Sequence, residues 1–323
     1  MNSAFRKVIL VRLRMSKLSP QVLKLGIFTL RYIALPTVML TLLGACSTTE
    51  NTKPRVSSIS EFSISSKFKI LDKHPVYGCI NSEMGVFIEV FGMYVIATDG
   101  APDEYVIHTA NVLAQYIDND EDGNPDDPSV LNYLVKNNVV VPVWREKDRA
   151  FEDTKCGRNF RFGASMWYDE DKWAIGGIQK TGDWDANLEE VWHIVTIGWE
   201  ATYPESFGAQ MEYPKSSLLT SALDVARGGH FADAPSQYPS EAWYTYYDPS
   251  CGYECQAYEY VYWALMANIG ALDPQLTDKC ERVADEWNIC TASELRNKDI
   301  LISQLLNYKG FRLPTRIPDG SYQ

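Results

Sequence analysis

The chain has fewer basic than acidic residues, and residues 70–323 show no sign of a boundary between domains. Of its 323 residues, 30 are basic and 42 acidic. Seven of the basic residues lie within residues 1–45, which contain no acidic residue, so the remaining chain has a net charge of −19. This acidity argues against a nucleic-acid partner and suits cation binding. Residues 70–323 contain no internal repeat and no linker rich in Gly or Pro, which favours one domain.

The N-terminal residues have the pattern of an export signal. Basic residues are followed by the apolar run "YIALPTVMLTLLGA", which is short for a membrane span and ends at Cys46. The segment "LLGAC" resembles the bacterial lipobox, which implies cleavage after residue 45 and lipidation of Cys46. The membrane would then be a partner, through the lipid. Ser47 after the cysteine favours the outer membrane of a Gram-negative cell envelope. A plain secretory signal and an N-terminal anchor helix are the alternatives.

A Ser/Thr-rich stretch, residues 46–69, predicts a flexible tether ahead of a domain at 70–323. That domain contains six cysteines: Cys79, Cys156, Cys251, Cys255, Cys280 and Cys290. An even number in an exported chain favours disulfides, for which 15 pairings exist. Short spacing makes Cys251–Cys255 and Cys280–Cys290 plausible, and Cys79–Cys156 is then the remaining pair.

The order of the predicted elements indicates an α+β fold, with a small early sheet packed on a mainly helical body. Residues 85–100, 139–144, 159–168 and 172–179 are rich in β-branched and aromatic residues and predict strands. Apolar residues at helical spacing predict helices at 102–117, 128–138, 186–203, 216–229, from 255 onward and over 273–287. Asp127 is the expected cap of the second helix, with Pro128 in its first turn.

Residues 118–129 contain an acidic loop between two predicted helices. Asp118, Asp120, Asp122 and Gly123 form the pattern D-x-D-x-D-G, which resembles the calcium loop of EF-hands. The resemblance implies a structural Ca²⁺ site with these ligands: Asp118, Asp120, Asp122, Asn124 through its backbone carbonyl, and Asp126. Ser129 occupies the twelfth position, where the pattern has a bidentate Glu. A solvated acidic turn without an ion is the alternative.

The segment "NLEEVWHIV", residues 187–195, nearly matches the zinc-protease motif H-E-x-x-H. Glu189 and His193 are spaced as two ligands on one helical face, and Glu190 has the position of the catalytic base. Together with "GYECQAYEYVYW", this layout loosely resembles lethal-factor-type gluzincins. The resemblance implies Glu259 as the third ligand of Zn²⁺ or another divalent metal, Tyr253 as electrophilic helper, and 172–179 as the substrate-binding edge strand.

Other histidines and simpler explanations compete with this site. His230 is an alternative third ligand, whereas His108 is expected to be packed or hydrogen-bonded. A single histidine on a helix flanked by aromatic residues is commonly a half-buried structural residue. Two glutamates in a first helical turn also stabilise the helix dipole without a metal. The sequence has no second E-x-x-H, which argues against a di-iron bundle.

Nine of the 21 residues from Trp243 to Trp263 are Trp or Tyr, a composition that suits peptide or glycan recognition as well as core packing. Two functions are therefore expected. The first is an exported, lipid-anchored, calcium-binding protein with a zincin-like, peptidase-type hydrolase site. The second is a non-catalytic surface lipoprotein that binds glycan or protein through its Trp/Tyr-rich face. The segments "NVLAQYIDNDEDGNPDDP", "EEVWHIV" and "RLPTRIPDGSY" also resemble a family of exported proteins without an assigned activity.

Overall fold

The computed structural model of the protein describes residues 67–210 and 215–323. A mixed sheet lies in the first part of this region, and helices form most of the rest, which confirms the α+β class. The signal peptide, Cys46 and most of the tether lie outside the described residues. These features, and the boundary of the domain at residue 70, stay predictions.

The sheet has five strands in the order of the sequence. The strands are β1 (Ile70–Leu71), β2 (Val86–Val90), β3 (Met93–Ala97), β4 (Val140–Trp144) and β5 (Met166–Trp167). The first three pair antiparallel, and β4 and β5 add in parallel. The β2–β3 hairpin turns at Phe91 and Gly92, both with positive φ (50° and 86°), as a two-residue hairpin turn of the right twist requires.

Two of the ten helices in the described residues lie between β3 and β4, and the other eight follow β5. The helices are α1 (Asp103–Ile117), α2 (Pro128–Lys136), α3 (Ile178–Thr181), α4 (Asn187–Thr202), α5 (Pro204–Phe207), α6 (Leu218–Ala226), α7 (Tyr253–Asn268), α8 (Lys279–Arg282), α9 (Ala292–Lys298) and α10 (Ile300–Leu306). Short 3₁₀ segments lie at Gly78–Ser82, Glu146–Asp153 and Gly157–Asn159. None of the helices in the described ranges combines the length and apolar composition that a membrane span requires.

Both faces of the sheet are buried. On β2, Val86, Ile88 and Val90 join the main core, whereas Phe87 joins a smaller core on the opposite side, because successive strand residues point to opposite faces. Helix α1 packs on the main-core side. The smaller core includes Ile80 and Phe151 of two 3₁₀ segments. The Cys79–Cys156 disulfide joins these flanking regions to each other.

Helix α4 lies at the centre of the helical body, in contact with α1, α2 and α7. Its close approach to α2 depends on Gly198. A Cβ at that position would lie 2.8 Å from Val130 Cγ1 and 2.9 Å from Leu134 Cγ, nearer than carbon atoms can approach. Glycine at this point therefore sets the spacing between the helix that contains His193 and the helix that follows the acidic loop.

Three predicted elements are wrong in kind or extent. Of 159–168, only Met166–Trp167 is strand, and 172–179 forms no strand. In this segment, the Trp173 ring stacks on Tyr105 of α1, with the ring centroids 4.2 Å apart. The apolar composition of 172–179 therefore reflects packing on α1 and not strand pairing. Gly176 and Gly177 have positive φ and redirect the chain into α3. The helix predicted over 273–287 is reduced to α8, because Asp273 Oδ1 accepts the Gln275 amide in a local turn that competes with helix.

All three predicted disulfides are present, the two of short spacing and the remaining pair Cys79–Cys156. Cys79–Cys156 spans 77 residues, whereas Cys251–Cys255 spans four.

Closing a longer loop removes more entropy from the unfolded chain, so Cys79→Ala with Cys156→Ala should lower the free energy of unfolding by about 4 kcal/mol. Cys251→Ala with Cys255→Ala, the matched control, should cost about 2 kcal/mol. Urea unfolding measures both values, and equal losses would contradict the entropic explanation.

Candidate metal sites

The acidic loop brings three carboxylates together between α1 and α2. Oxygens of Asp118, Asp120 and Asp122 all lie within 4.8 Å of one another. Within the described residues, this is the only group of three or more His, Cys, Asp or Glu side chains whose ligand atoms converge in this way. Asp118 is fully buried, and the other two are exposed. Three of the five predicted calcium ligands therefore converge on one point from which a metal ion could be held.

Hydrogen bonds to Asp118 shape the loop. Its Oδ1 accepts the Asp122 amide at 3.2 Å, and its Oδ2 accepts the Gly123 amide at 2.8 Å. Gly123 has a φ of +87°, in agreement with its predicted role in the sharp turn, and Glu121 also has a positive φ, of 60°. The backbone thus folds around the first carboxylate, and the next two carboxylates are brought beside it.

Asn124 and Asp126, the other two predicted ligands, are also held within the loop. Asn124 donates its amide to Asp122 Oδ1 at 2.8 Å. Asp126 Oδ2 accepts the Asn119 amide at 2.6 Å, and burial raises the pKa of this carboxyl. Neither residue belongs to the group of converging carboxylates, so their roles as ligands stay predictions.

The predicted helix cap is confirmed. Asp127 Oδ1 accepts the amides of Ser129 and Val130 at 3.0 Å, which satisfies two amides that a helix start leaves free. Its Oδ2 accepts the Tyr203 hydroxyl at 2.7 Å. Asp127 thus connects the start of α2 to Tyr203, the residue that follows α4.

The C-terminal segment covers the loop, an arrangement that sequence reasoning missed. Tyr322 donates its hydroxyl to Asp118 Oδ2 at 2.5 Å. Asn119 Oδ1 accepts the amides of Thr315 and Arg316 at 2.8 Å. These contacts join residues about 200 apart in sequence, and no local pattern signals them. The loop and the end of the chain therefore form one hydrogen-bonded unit.

The second candidate site lies between α4 and α7. His193 Nε2 is 3.7 Å from Glu259 Oε2, and both side chains are 9% exposed. Two of the three predicted transition-metal ligands are thus adjacent. Glu189 lies one turn before His193 on α4, but the three residues are not a converging group of the kind found in the acidic loop, the only such group in the described ranges. The assignment of this ligand set stays a prediction.

Asp171 is an acidic residue near Glu189 that no sequence motif marks. Burial raises the pKa of Asp171 to about 7, and the negative charges of Glu189, Glu170 and Asp169 add to the increase. Its Oδ2 accepts the Trp167 amide at 2.6 Å, which opposes the increase. The negative charge of Glu189 therefore acts on a buried carboxyl that lies outside α4.

Tyr253 and His230 belong to a different cluster. Tyr253 donates its hydroxyl to Asp224 Oδ1 at 2.8 Å, and His230 Nδ1 is 2.9 Å from Asp224 Oδ2. Six residues separate Tyr253 from Glu259, and at 100° per residue their side chains leave α7 in directions about 120° apart. The geometry therefore gives no support to Tyr253 as an electrophilic helper or to His230 as the third ligand of the α4 site.

His108 and the aromatic segment have mainly structural roles. His108 is 1% exposed, and its Nε2 contacts Asp185 Oδ2, as expected for a packed, hydrogen-bonded histidine. Seven of the nine aromatic residues between positions 243 and 263 are buried, and Trp243 is half-buried. Tyr247, at 56% exposure, is the main ring of this segment open to a ligand. Packing thus explains most of the segment.

No family model, curated protein or solved structure matches this chain. The resemblances to the lipobox, the EF-hand loop and the gluzincins therefore depend on the residues that carry them. Of the three, the EF-hand resemblance has geometric support, in the convergence of Asp118, Asp120 and Asp122.

The raised pKa of Asp171 predicts a pH-dependent stability. The folded protein binds this proton more tightly than the unfolded chain, in which the carboxyl titrates near 3.8. The free energy of unfolding should therefore fall as the pH rises from 3.8 to about 7. Asp171→Asn removes this contribution, so between about pH 5 and pH 8 the variant should gain on the order of 2 kcal/mol relative to wild type.

Urea unfolding in chelator at both pH values measures the difference. Asp72→Asn is the control, because Asp72 is exposed and is not among the charges that raise the pKa of Asp171, so its replacement should leave the pH profile unchanged. Parallel profiles for wild type and Asp171→Asn would show that the Asp171 carboxyl is not perturbed.

Proposed function

We propose that the chain is an exported, lipid-anchored protein whose acidic loop binds Ca²⁺ as a structural ion. The observation that carries the proposal is the convergence of Asp118, Asp120 and Asp122. Three carboxylates at this separation repel one another, and a divalent cation offsets the repulsion. Hard oxygen ligands without nitrogen or sulfur favour Ca²⁺ over Zn²⁺.

The remaining ligands are proposed from the loop and from solvent. Ca²⁺ takes six to eight oxygens, so the Asn124 carbonyl, Asp126 and water would complete the set. Asp118 also accepts the Tyr322 hydroxyl, so an ion on Asp118 acts on the C-terminal segment as well. The proposed role of the ion is to hold the loop and the end of the chain in one arrangement.

Calcium should raise the thermal stability of the protein. At a free Ca²⁺ concentration about 100 times the Kd, binding to the folded state alone adds about 2.7 kcal/mol. The melting temperature should thus be higher in Ca²⁺ than in chelator, and Asp120→Ala should remove the difference. Asp120 is exposed, so its replacement is not expected to unfold the protein. Calorimetric melting of each variant measures the effect.

Asp72→Ala is the matched control, because Asp72 is an exposed acid outside the loop. It should retain the full Ca²⁺-dependent shift. The same melting temperature for wild type in Ca²⁺ and in chelator would reject the calcium site.

The proposed location rests on the N-terminal sequence. The basic segment, the apolar run and "LLGAC" support cleavage before Cys46 and a lipid on its thiol, and Ser47 supports the outer membrane of a Gram-negative cell. Three disulfides in the folded part are typical of an oxidising compartment. Metabolic labelling with a fatty acid, with Cys46→Ser as control, tests the anchor.

A second candidate function is metal-dependent hydrolysis at the α4 site. The observation that favours it is the 3.7 Å separation of His193 Nε2 and Glu259 Oε2. Glu189, one helical turn before His193, would complete a ligand set of one imidazole and two carboxylates. A divalent metal there would polarise a substrate carbonyl. Glu190, the neighbour of Glu189, would accept the proton of the attacking water.

Metal analysis distinguishes this hydrolase from a purely structural helix. Purified wild type should contain about one transition-metal ion per chain, and Glu189→Ala and His193→Ala should each lose most of it, since a two-ligand site binds weakly. His230→Ala is the control, because His230 contacts Asp224 in another cluster, and it should retain the metal. Equal metal content in wild type and the two ligand variants would reject the site and favour the non-catalytic, ligand-binding function.

A further inference from the structure

The chain is acidic overall, but residues 295–311 are not. This segment contains three exposed cations, Arg296, Lys298 and Lys309, and a single acid, Asp299. Asp299 is 1% exposed and accepts hydrogen bonds from the Trp243 indole and the Tyr260 hydroxyl. Its charge therefore faces the interior, and the surface of the segment is cationic. On a chain with a net charge of −12, this asymmetry indicates an anionic partner.

The same segment exposes apolar side chains. Ile300, Leu301 and Tyr308 are 56%, 44% and 60% exposed. Of the seven large apolar side chains that are strongly exposed in the described residues, five lie on α10, just after it, or on α6, which packs against α10. Ile300 and Gln304 are four residues apart on α10 and lie on one face of it, and Gln304 and Tyr308 line the same depression.

An open cavity of about 630 Å³ lies on this side. It is lined by Arg296, Ser303, Gln304, Asn307, Tyr308 and Lys309. Two cations and several hydrogen-bonding groups thus line a depression next to exposed Ile300 and Leu301. A phosphate group would pair with the two cations, and acyl chains would pack on the apolar side chains.

We propose that this surface, residues Arg296, Lys298, Ile300, Leu301, Tyr308 and Lys309, lies against an anionic lipid bilayer. Cationic and apolar side chains together, with a tyrosine between them, are typical of surfaces that rest at a membrane interface. A nucleic-acid surface would need more cations and no exposed aliphatic side chains. The inference rests on the proposed attachment to a membrane, because the anchor keeps the domain beside the bilayer.

The full chain in lipid vesicles tests the proposal. Vesicles of phosphatidylcholine, alone or mixed with phosphatidylglycerol, should both retain the chain through its N-terminal segment in flotation. Hydrogen exchange of the amides in 295–311 should be slowed only on the anionic vesicles, and high salt should reverse the effect. Flotation without slower exchange would overturn the proposed surface, whereas no flotation would overturn the proposed attachment.

Two triple variants isolate the charges. Arg296→Gln, Lys298→Gln and Lys309→Gln together should lower the affinity of this surface for anionic lipid about 100-fold, at about fivefold for each cation. The exchange protection of 295–311 on anionic vesicles measures this affinity. Lys69→Gln, Lys136→Gln and Lys155→Gln together remove three exposed cations elsewhere and should change it far less. Equal losses would overturn the proposal, and so would protection of 295–311 that depends on protein concentration without vesicles, which would indicate a second copy of the chain.

Discussion

The carboxylate of Asp118 is fully buried at the end of α1, and the arrangement of the loop and of the chain's end depends on how it is satisfied. A buried charge is costly unless donors or a cation surround it. Here the donors are two loop amides and the Tyr322 hydroxyl. The need to satisfy one side chain therefore bends the loop, brings the other carboxylates close and holds the last residues of the chain.

Helix α1 and the loop residue Asn119 just after it present a line of buried amide side chains to the C-terminal segment. Asn111, Gln115 and Asn119 recur every four residues and are at most 6% exposed. Each bonds backbone groups between residues 315 and 320. Irregular chain has no ladder of its own, so these amides supply the partners that its backbone groups need. These hydrogen bonds hold the segment in place without making it part of the sheet.

Sequence reasoning succeeded where the signal was local. The acidic loop, the Asp127 cap and the α4 helix each occupy a few consecutive residues, and the short cysteine spacings left one pairing for the long disulfide. The resemblance to the gluzincin layout also related His193 to Glu259, and these two side chains are adjacent. Strand prediction failed at 172–179, where aromatic contact with α1 imitated the composition of a strand.

The remaining features arise from residues distant in sequence. Nothing near Asp171 indicates that folding buries it beside Glu189, and nothing near Tyr322 indicates that it reaches Asp118. The line of Asn and Gln on α1 is the exception, since polar residues every four positions on an otherwise apolar helix imply a polar partner. That pattern could have predicted a covering segment, although not which part of the chain supplies it.

The Cys79–Cys156 disulfide encloses most of the sheet, helices α1 and α2 and the whole acidic loop in one covalent ring. A protease that cuts the exposed part of this loop opens the ring without releasing a fragment. The two pieces of the chain stay joined through the disulfide, and hydrogen bonds to the C-terminal segment still hold Asp118 and Asn119. A cut in the loop therefore does not detach part of the domain as long as the Cys79–Cys156 disulfide is intact.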